Sequence, residues 1–307
     1  MRNIIYLIVL IAGLSSTASA QQEARYAQFL FHKLALNPGY AGARDVLSVA
    51  ALYRHQWTGM DQAPQTLSLS LHAPLRQERL ALGFQLVHDR LGLAQSTGLY
   101  TDWAYRVPVG KGKLSVGLQA GLVNQQLALT NAVPLDGNDP NLQRNQNHWF
   151  PNAGAGVYYH SKTWYAGLSA PQLAQSAITD LPGSQASQSR HYAAMGGYAW
   201  KVNPNVKLHP QALLLMAEGA PLQAEGNLSV LISERFWTGV GYRSSSTAVF
   251  NLGYEMASGL RFGYAYDLTL GAFSAQTGGS HELLVGMDIG RNPARFLYPR
   301  QLSSPVF

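Results

Sequence analysis

The stretch Lys113-Leu114-Ser115-Val116-Gly117-Leu118-Gln119-Ala120-Gly121-Leu122-Val123-Asn124 alternates large apolar residues with small or polar ones. Leu114, Val116, Leu118, Ala120 and Leu122 share one face, and Ser115, Gly117, Gln119 and Gly121 share the other. A period of two is strand geometry, because successive side chains of a β-strand point to opposite sides. Thr66 to His72 repeats the pattern, with Leu67, Leu69 and Leu71 opposite Thr66, Ser68 and Ser70, and so does Leu80 to Asp89. Extending the same reading along the chain places strands at 46–55, 65–72, 80–89, 95–107, 112–124, 152–160, 163–170, 191–201, 206–216, 223–232, 236–244, 247–256, 259–268 and 281–290. Each is about the length that a tilted strand needs to cross a bilayer. An even set of about fourteen antiparallel strands is the pattern of a closed transmembrane barrel of the outer-membrane type. The expected fold class is therefore all-β.

The two faces carry residues that suit lipid outside and water or polar groups inside. Trp103, Tyr105, Tyr159, Trp164, Tyr198, Trp200, Phe236, Tyr242, Tyr254, Tyr264 and Tyr266 sit mostly near strand ends. Rings with an apolar body and a polar tip favour the lipid–water boundary. Asp102, Arg106, Arg243, Glu255, Arg261 and Asp267 fall on the opposite face and are assigned to the lumen. Charged residues make up 12% of the chain, against about 25% in an ordinary soluble domain. A soluble β-sandwich needs more surface charge than that, and the 30 glycines suit it poorly. The formal charge of +6 is spread without a Lys/Arg run, so no nucleic-acid interface is expected.

An export signal precedes the strands. Arg2 supplies the positive start, Ile4 to Leu14 the apolar core and Ala18-Ser19-Ala20 a small-residue cleavage site. The apolar run is shorter than the roughly 20 residues of a spanning helix. The chain contains no cysteine, so neither a lipid-modified cysteine nor a disulfide is available. The organisation expected is a signal peptide at 1–20, a periplasmic or plug segment at 21–45, a barrel at 46–290 and a periplasmic tail at 291–307. Phe29, Leu30, Phe31, Leu34 and Leu36 need burial, which makes residues 21–36 the plug candidate. Tyr26 to Leu36 has a helical look but is too short to stand alone. In the tail, Phe307 is the kind of terminal aromatic that barrel-assembly machinery reads, while Pro305 argues against a strand there.

The connections alternate in length. Counting from a periplasmic amino end, Ala73–Arg79, Pro108–Lys111, Ser161-Lys162, Val202–Asn205, Ser233–Arg235 and Ala257-Ser258 are short. The other set includes the long stretches Gln56–Pro64, Gln125–Pro151, Pro171–Arg190 and Thr269–Ser280. Short periplasmic turns and longer external loops are the usual asymmetry of such barrels. Trp57, Met60, Trp149 and Phe150 are read as external-loop residues, and apolar side chains there invite a partner.

A series of short motifs resembles a known family. They are Asn37-Pro38-Gly39-Tyr40-Ala41-Gly42, Tyr53-Arg54-His55-Gln56-Trp57-Thr58-Gly59, Ala63-Pro64-Gln65-Thr66, Ser70-Leu71-His72-Ala73-Pro74 and His88-Asp89-Arg90-Leu91-Gly92. Further on come Pro151-Asn152-Ala153-Gly154-Ala155-Gly156-Val157-Tyr158-Tyr159, Tyr165-Ala166-Gly167-Leu168-Ser169-Ala170-Pro171, Gly263-Tyr264-Ala265-Tyr266-Asp267 and Gly279-Ser280-His281-Glu282. In order and spacing, over about Tyr26 to Gly290, they resemble the PorP/SprF family of type IX secretion system membrane proteins of Bacteroidetes outer membranes. Gly39 is a departure, since the family more usually has alanine there. The resemblance implies a non-enzymatic barrel in the cell outer membrane. It further implies that the barrel assists secretion or surface attachment of cargo with a C-terminal sorting domain, some of it gliding adhesins. Partners would be that exported cargo, other type IX components and outer-membrane lipid. A passive porin or hydrophobic-substrate channel is the competing reading, since a barrel of this size can enclose a solute path.

Asn37, Pro38, Tyr40, Arg54, Gln56, Trp57, Pro64, Asp89, Asp267, His281 and Glu282 are the candidate partner-contact or motif residues. Asn37-Pro38-Gly39 reads as a turn in which proline fixes φ and glycine permits a left-handed bend. Arg54, Gln56 and Trp57 stand where strand one enters the first external loop, either bracing it or meeting a partner. His281-Glu282 opens the last strand and is read as a local hydrogen bond or salt bridge. No HExxH spacing, GxSxG elbow, P-loop or GxGxxG fingerprint occurs. Asp136-Gly137-Asn138-Asp139 lacks the alternation of a calcium loop and reads as an Asx/Gly turn. No catalytic residue, metal or cofactor is therefore expected.

Overall fold

Residues with alternating character form strands, and antiparallel pairing closes them into one wall. The structure is a computed structural model that describes residues 26–29, 31–75, 79–131, 144–174 and 189–290. The signal peptide, residues 21–25, Leu30, the Asp136–Asp139 turn and the tail 291–307 lie outside the described residues. The strands are β1 (Leu47–His55), β2 (Gln65–Pro74), β3 (Leu80–Leu91), β4 (Ala94–Val109), β5 (Gly112–Leu127), β6 (Gln146–Ser161), β7 (Trp164–Gln172), β8 (His191–Tyr198), β9 (Trp200–Asn203), β10 (Val206–Ala217), β11 (Gln223–Ile232), β12 (Phe236–Arg243), β13 (Thr247–Glu255), β14 (Leu260–Thr269) and β15 (Ser280–Ile289). Neighbours in sequence pair antiparallel, except that β8 and β9 both pair with β10, and β15 returns to pair with β1, from Leu47 opposite Ile289 to His55 opposite His281. Closure removes both sheet edges, which in a bilayer no water could satisfy.

β8 and β9 are two parts of one wall strand, so the barrel has fourteen strands. The expected single strand at 191–201 is interrupted at Ala199, although its N–H still donates to the Thr163 carbonyl at 2.6 Å and so continues the pairing of Tyr198 with Trp164. The other correction concerns β5 and β6. Their hairpin runs further than the alternation suggested, and Trp149 and Phe150 lie on β6, not in an external loop. Trp149 faces outward and is 61% exposed, while Phe150 faces the interior. Asn124 and Asn147, bonded at 2.5 Å beside Trp149, keep the hairpin zipped beyond the apolar band.

The period-two reading transfers directly to the two faces. On β5, Val116, Leu118 and Leu122 point out, whereas Ser115 and Gln119 point in. All six charges assigned to the lumen, Asp102, Arg106, Arg243, Glu255, Arg261 and Asp267, are buried there. Trp103, Tyr105, Trp164, Tyr198, Trp200, Phe236, Tyr242 and Tyr254 are exposed on the outside. One end of the barrel carries the turns 75–79, 110–111, 162–163, 204–205, 233–235 and 256–259, together with the start of β1 and the end of β15. Gly110 takes φ +57° in the two-residue turn between β4 and β5, a conformation that costs glycine no Cβ clash. The opposite end carries the long connections 56–64, 128–145, 173–190 and 270–279, with 92–93, 218–222 and 244–246 short between them.

Residues 26–45 run through the interior. One helical turn, α1 (Lys33–Leu36), is followed by a 3-10 turn at Pro38–Tyr40. Phe29, Leu34, Tyr40, Ala41 and Ala43 are buried against inward residues such as Leu52, Tyr158, Tyr165, Leu213 and Leu284. The segment therefore supplies an apolar core where the wall strands alone would face one another across a void.

Candidate functional site

The occupied lumen is built from small wall residues that make room and polar ones that bind. Gly117 on β5 faces the 3-10 turn so closely that a methyl there would lie 2.6 Å from the Pro38 carbonyl oxygen and nearer still to the Gly39 nitrogen. Gly156 on β6 makes similar room for the Asn37 side chain, whose Cγ would lie 2.9 Å from an added methyl. Asn37 is fully buried and makes three hydrogen bonds. Its Oδ1 accepts from the Gly39 N–H at 2.8 Å, and its Nδ2 donates to the Val157 and Leu168 carbonyls at 3.0 and 3.3 Å. Pro38 follows at the first position of the 3-10 turn, where its fixed φ and missing N–H cost nothing. Gly39 differs from the expected left-handed bend; the left-handed residue is Gly42, at φ +72°. Gly39 matters through close packing on β5 and β6. Tyr40 completes the motif by packing edge-on to His72 and Tyr158, with centroids 5.2 and 5.3 Å apart.

Towards the long-loop end, the segment is held by one carboxylate. Glu282, with no exposed surface, accepts the Ala27 and Gln28 N–H groups at 2.7 Å each and pairs with Arg54 at 3.2 Å. Arg54 also pairs with Asp267 at 2.6 Å, and Asp267 with Arg243 at 3.1 Å, which reaches Glu225 at 2.7 Å. Charges buried this deeply persist only when paired, since each leaves water at a cost of several kcal/mol. Arg54, Asp267 and Glu282 thus form one network, and the salt bridge expected at Glu282 is a junction between wall and segment.

Towards the short-turn end, a second network seats Arg44 and Asp45. Arg44 binds Asp288 at 2.6 Å, and Arg261 shares that carboxylate at 3.2 Å. Asp45 bonds Arg106 and accepts from Lys113 at 2.9 Å. Between the networks, the fully buried His32 meets Ser68 at 2.7 Å. Lys33, with no exposed surface, holds Nζ 3.7 Å from the Tyr165 ring centroid. An aromatic face offsets part of the cost of burying an ammonium.

The remaining candidates brace the mouth. The Gln56 N–H donates to the Pro64 carbonyl at 2.9 Å, closing the loop between β1 and β2. Trp57 sits at φ +49°, an uncommon conformation for a bulky residue. Its N–H donates to Ser280 Oγ at 3.2 Å, while Thr58 exchanges backbone bonds with Gly278 and Gly279. Asp89 accepts from Thr66 at 2.5 Å across β2 and β3, and His281 meets the Tyr264 hydroxyl at 2.7 Å. Arg44, Asp45, Lys33, Gly117, Gly156 and Asp288 were not nominated from the sequence. Asp288 was readable, since it shares the inward parity of Glu282, whereas partners of a non-repetitive segment have no periodic signal. Among the described residues, no group of three or more His, Cys, Asp or Glu side chains could hold a metal ion.

Comparison with solved structures returns outer-membrane barrels at low identity. Acinetobacter baumannii Omp33 is 8% identical, covering 81% of this chain and 100% of its own, with a TM-score of 0.47. The Ralstonia pickettii toluene transporter TbuX is 11% identical, covering 81% and 91%, with a TM-score of 0.49. A deletion mutant of the monoaromatic hydrocarbon channel TodX is 10% identical, with the same coverages and a TM-score of 0.46. No curated protein matches the chain. The family model for the type IX secretion system membrane protein PorP/SprF matches residues 18–287, nearly all of the barrel and its lumen segment. On that match, the chain belongs to the PorP/SprF family of type IX secretion system membrane proteins.

Proposed function

We propose that this barrel serves the type IX pathway as a sealed outer-membrane scaffold that helps exported cargo with a C-terminal sorting domain to be secreted or attached at the cell surface. The observation that carries the reading is a lumen filled by the chain's own residues 26–45, fixed at one end by the buried Arg44–Asp288 pair and at the other by two backbone N–H bonds to the buried Glu282 carboxylate. A protein built this way binds partners with its rim and loops and transports no solute through its centre. The short-turn end faces the periplasm and the long loops face outward, after removal of residues 1–20. The apolar outer face contacts lipid between its aromatic girdles. No reaction is assigned to it. Gliding adhesins are among the cargo it would serve.

Deleting the gene tests the role. Surface display of at least one exported protein with a C-terminal sorting domain should be lost, and affinity purification of the tagged barrel should recover that protein by mass spectrometry. Unchanged display of all such cargo would remove the reading. A steady open conductance of the purified barrel in planar bilayers would instead favour a channel.

A further inference from the structure

We infer that the short-turn rim of the barrel is a docking surface for an acidic polypeptide of the periplasm. The inference rests on the orientation given above, with the short turns in the periplasm, and not on the identity of the cargo. Its basis is where the chain keeps its positive charge. Arg79, Lys111, Lys162, Lys201 and Arg235 are exposed, one in each of five successive hairpins at that end, from β2–β3 round to β11–β12. None of the five makes an ion pair among the described residues. The two acids of this rim that are not buried are committed elsewhere, Asp45 to Arg106 and Lys113, and Glu234 to Lys207. Arg76 and Glu78, outside the described residues, add no net charge. At the opposite mouth the described charges balance, with Asp61, Asp89 and Glu218 against Arg90, Arg144 and Arg190.

Spacing makes the cations act together. Adjacent strands lie about 4.8 Å apart, so successive hairpins follow one another at about 10 Å along the rim. That step is close to the Debye length of about 8–10 Å, and the fields of neighbouring cations overlap. An extended chain covers the same step in about three residues, so carboxylates at every third position meet successive cations. Gly112 opposes Ser161, which brings Lys111 and Lys162 side by side, and Lys201 directly opposes Lys207. Like charges so placed repel, and an incoming carboxylate relieves them. Two features select the occupant. Trp200 and Val202 face outward, 62% and 54% exposed, which turns Lys201 between them towards the mouth, away from lipid. Its opposite number, Lys207, shares the strand face of the buried His209. The chain's own residues 291–307 contain Arg291, Arg295 and Arg300 and no acid, so their charge does not complement the arc.

The test compares the parent with the triple variant Lys111→Gln/Lys162→Gln/Lys201→Gln and with Arg90→Gln/Arg144→Gln at the other mouth. Heat-modifiable gel mobility establishes that each is a folded barrel. In nanodiscs of zwitterionic lipid, a fluorescent poly-glutamate peptide should bind the triple variant about ten-fold or more weakly than the parent, and the double variant like the parent. Added salt should weaken the parent's binding. Equal binding by parent and triple variant overturns the inference, as does a loss confined to the double variant. Anionic phospholipid that co-purifies with the parent and not with the triple variant, while poly-glutamate binds both alike, gives the arc to lipid headgroups and overturns the polypeptide. In cells, a photo-crosslinking residue in place of Thr163, exposed beside Lys162, should trap a periplasmic protein through an acidic peptide, and the three substitutions should abolish the adduct. An adduct through a neutral or basic peptide, one that survives the substitutions, or none at all overturns the inference. The readout is the adduct and not cargo display, so its failure leaves the secretion role standing, and unchanged display after gene deletion leaves the adduct standing.

Discussion

Gly117→Ala separates the lumen segment from the barrel that holds it. Alanine is tolerated in a strand, and the wall at β5 keeps its pairing with β4 and β6. Inside, however, the new methyl lies 2.6 Å from the Pro38 carbonyl oxygen, against 3.4 Å for an ordinary contact. The neighbours are backbone, so no rotamer change relieves the clash, and the 3-10 turn must retreat by more than about 0.8 Å. Overpacking of this kind costs typically 1–3 kcal/mol. The retreat also stretches the two Asn37 bonds to Val157 and Leu168, from 3.0 and 3.3 Å, beyond useful range. Each such bond contributes about 1 kcal/mol net. The combined penalty of about 3–5 kcal/mol raises the displaced fraction of the segment by about 10²–10⁴. Lys33 reports it, since the side chain has no exposed surface in the seated state. Tryptic cleavage after Lys33 in detergent-folded protein should accelerate by that factor, and bilayer recordings should show openings. Gly226→Ala is the control, because its added methyl meets nothing within 4 Å. If Gly117→Ala leaves Lys33 as protected as the parent and the bilayer silent, the seating geometry is wrong.

Two further outcomes follow from the networks. Glu282→Ala strands two buried backbone N–H groups and half of Arg54's pairing. Hydrogen exchange at Ala27 and Gln28 should quicken by about 10²-fold or more, as removing one member of a buried pair costs about 3–5 kcal/mol. Arg54→Met should lower barrel stability in urea by a similar amount, since Asp267 retains only Arg243. Adding Glu282→Gln to Arg54→Met should recover part of that loss, and strict additivity of the two would deny the coupling.

The wall was legible because β-structure writes itself at period two. Ser115 and Val116 declare opposite faces without reference to any other strand, and Asp102, Arg243 and Asp267 could be sent inward by parity alone. Lengths were less legible where pairing, not hydrophobicity, extends a strand. Trp149 and Phe150 read as loop because polar neighbours surround them, yet Asn124 and Asn147 keep the hairpin zipped there. The break at Ala199 has no signal in the alternation, since Tyr198 and Trp200 on either side of it both face outward. The lumen segment is the part that sequence reasoning reached only as a need for burial. Phe29 and Leu34 announce that need, but which wall residues receive them depends on three-dimensional closure.

The bonds made by residues 26–45 straddle the junction of β1 and β15, strands separated by most of the chain. Joining them is the slowest kind of contact to form, because its loop-closure cost must be met before pairing returns anything. Here the amino-terminal strand arrives with Arg44 and the Ala27 and Gln28 amides already attached to it. When the final strand approaches, Asp288 and Glu282 find their partners waiting on the incoming side. The segment therefore acts as a clasp sewn to the first edge of the cloth, and the barrel's last seam is fastened by its earliest residues.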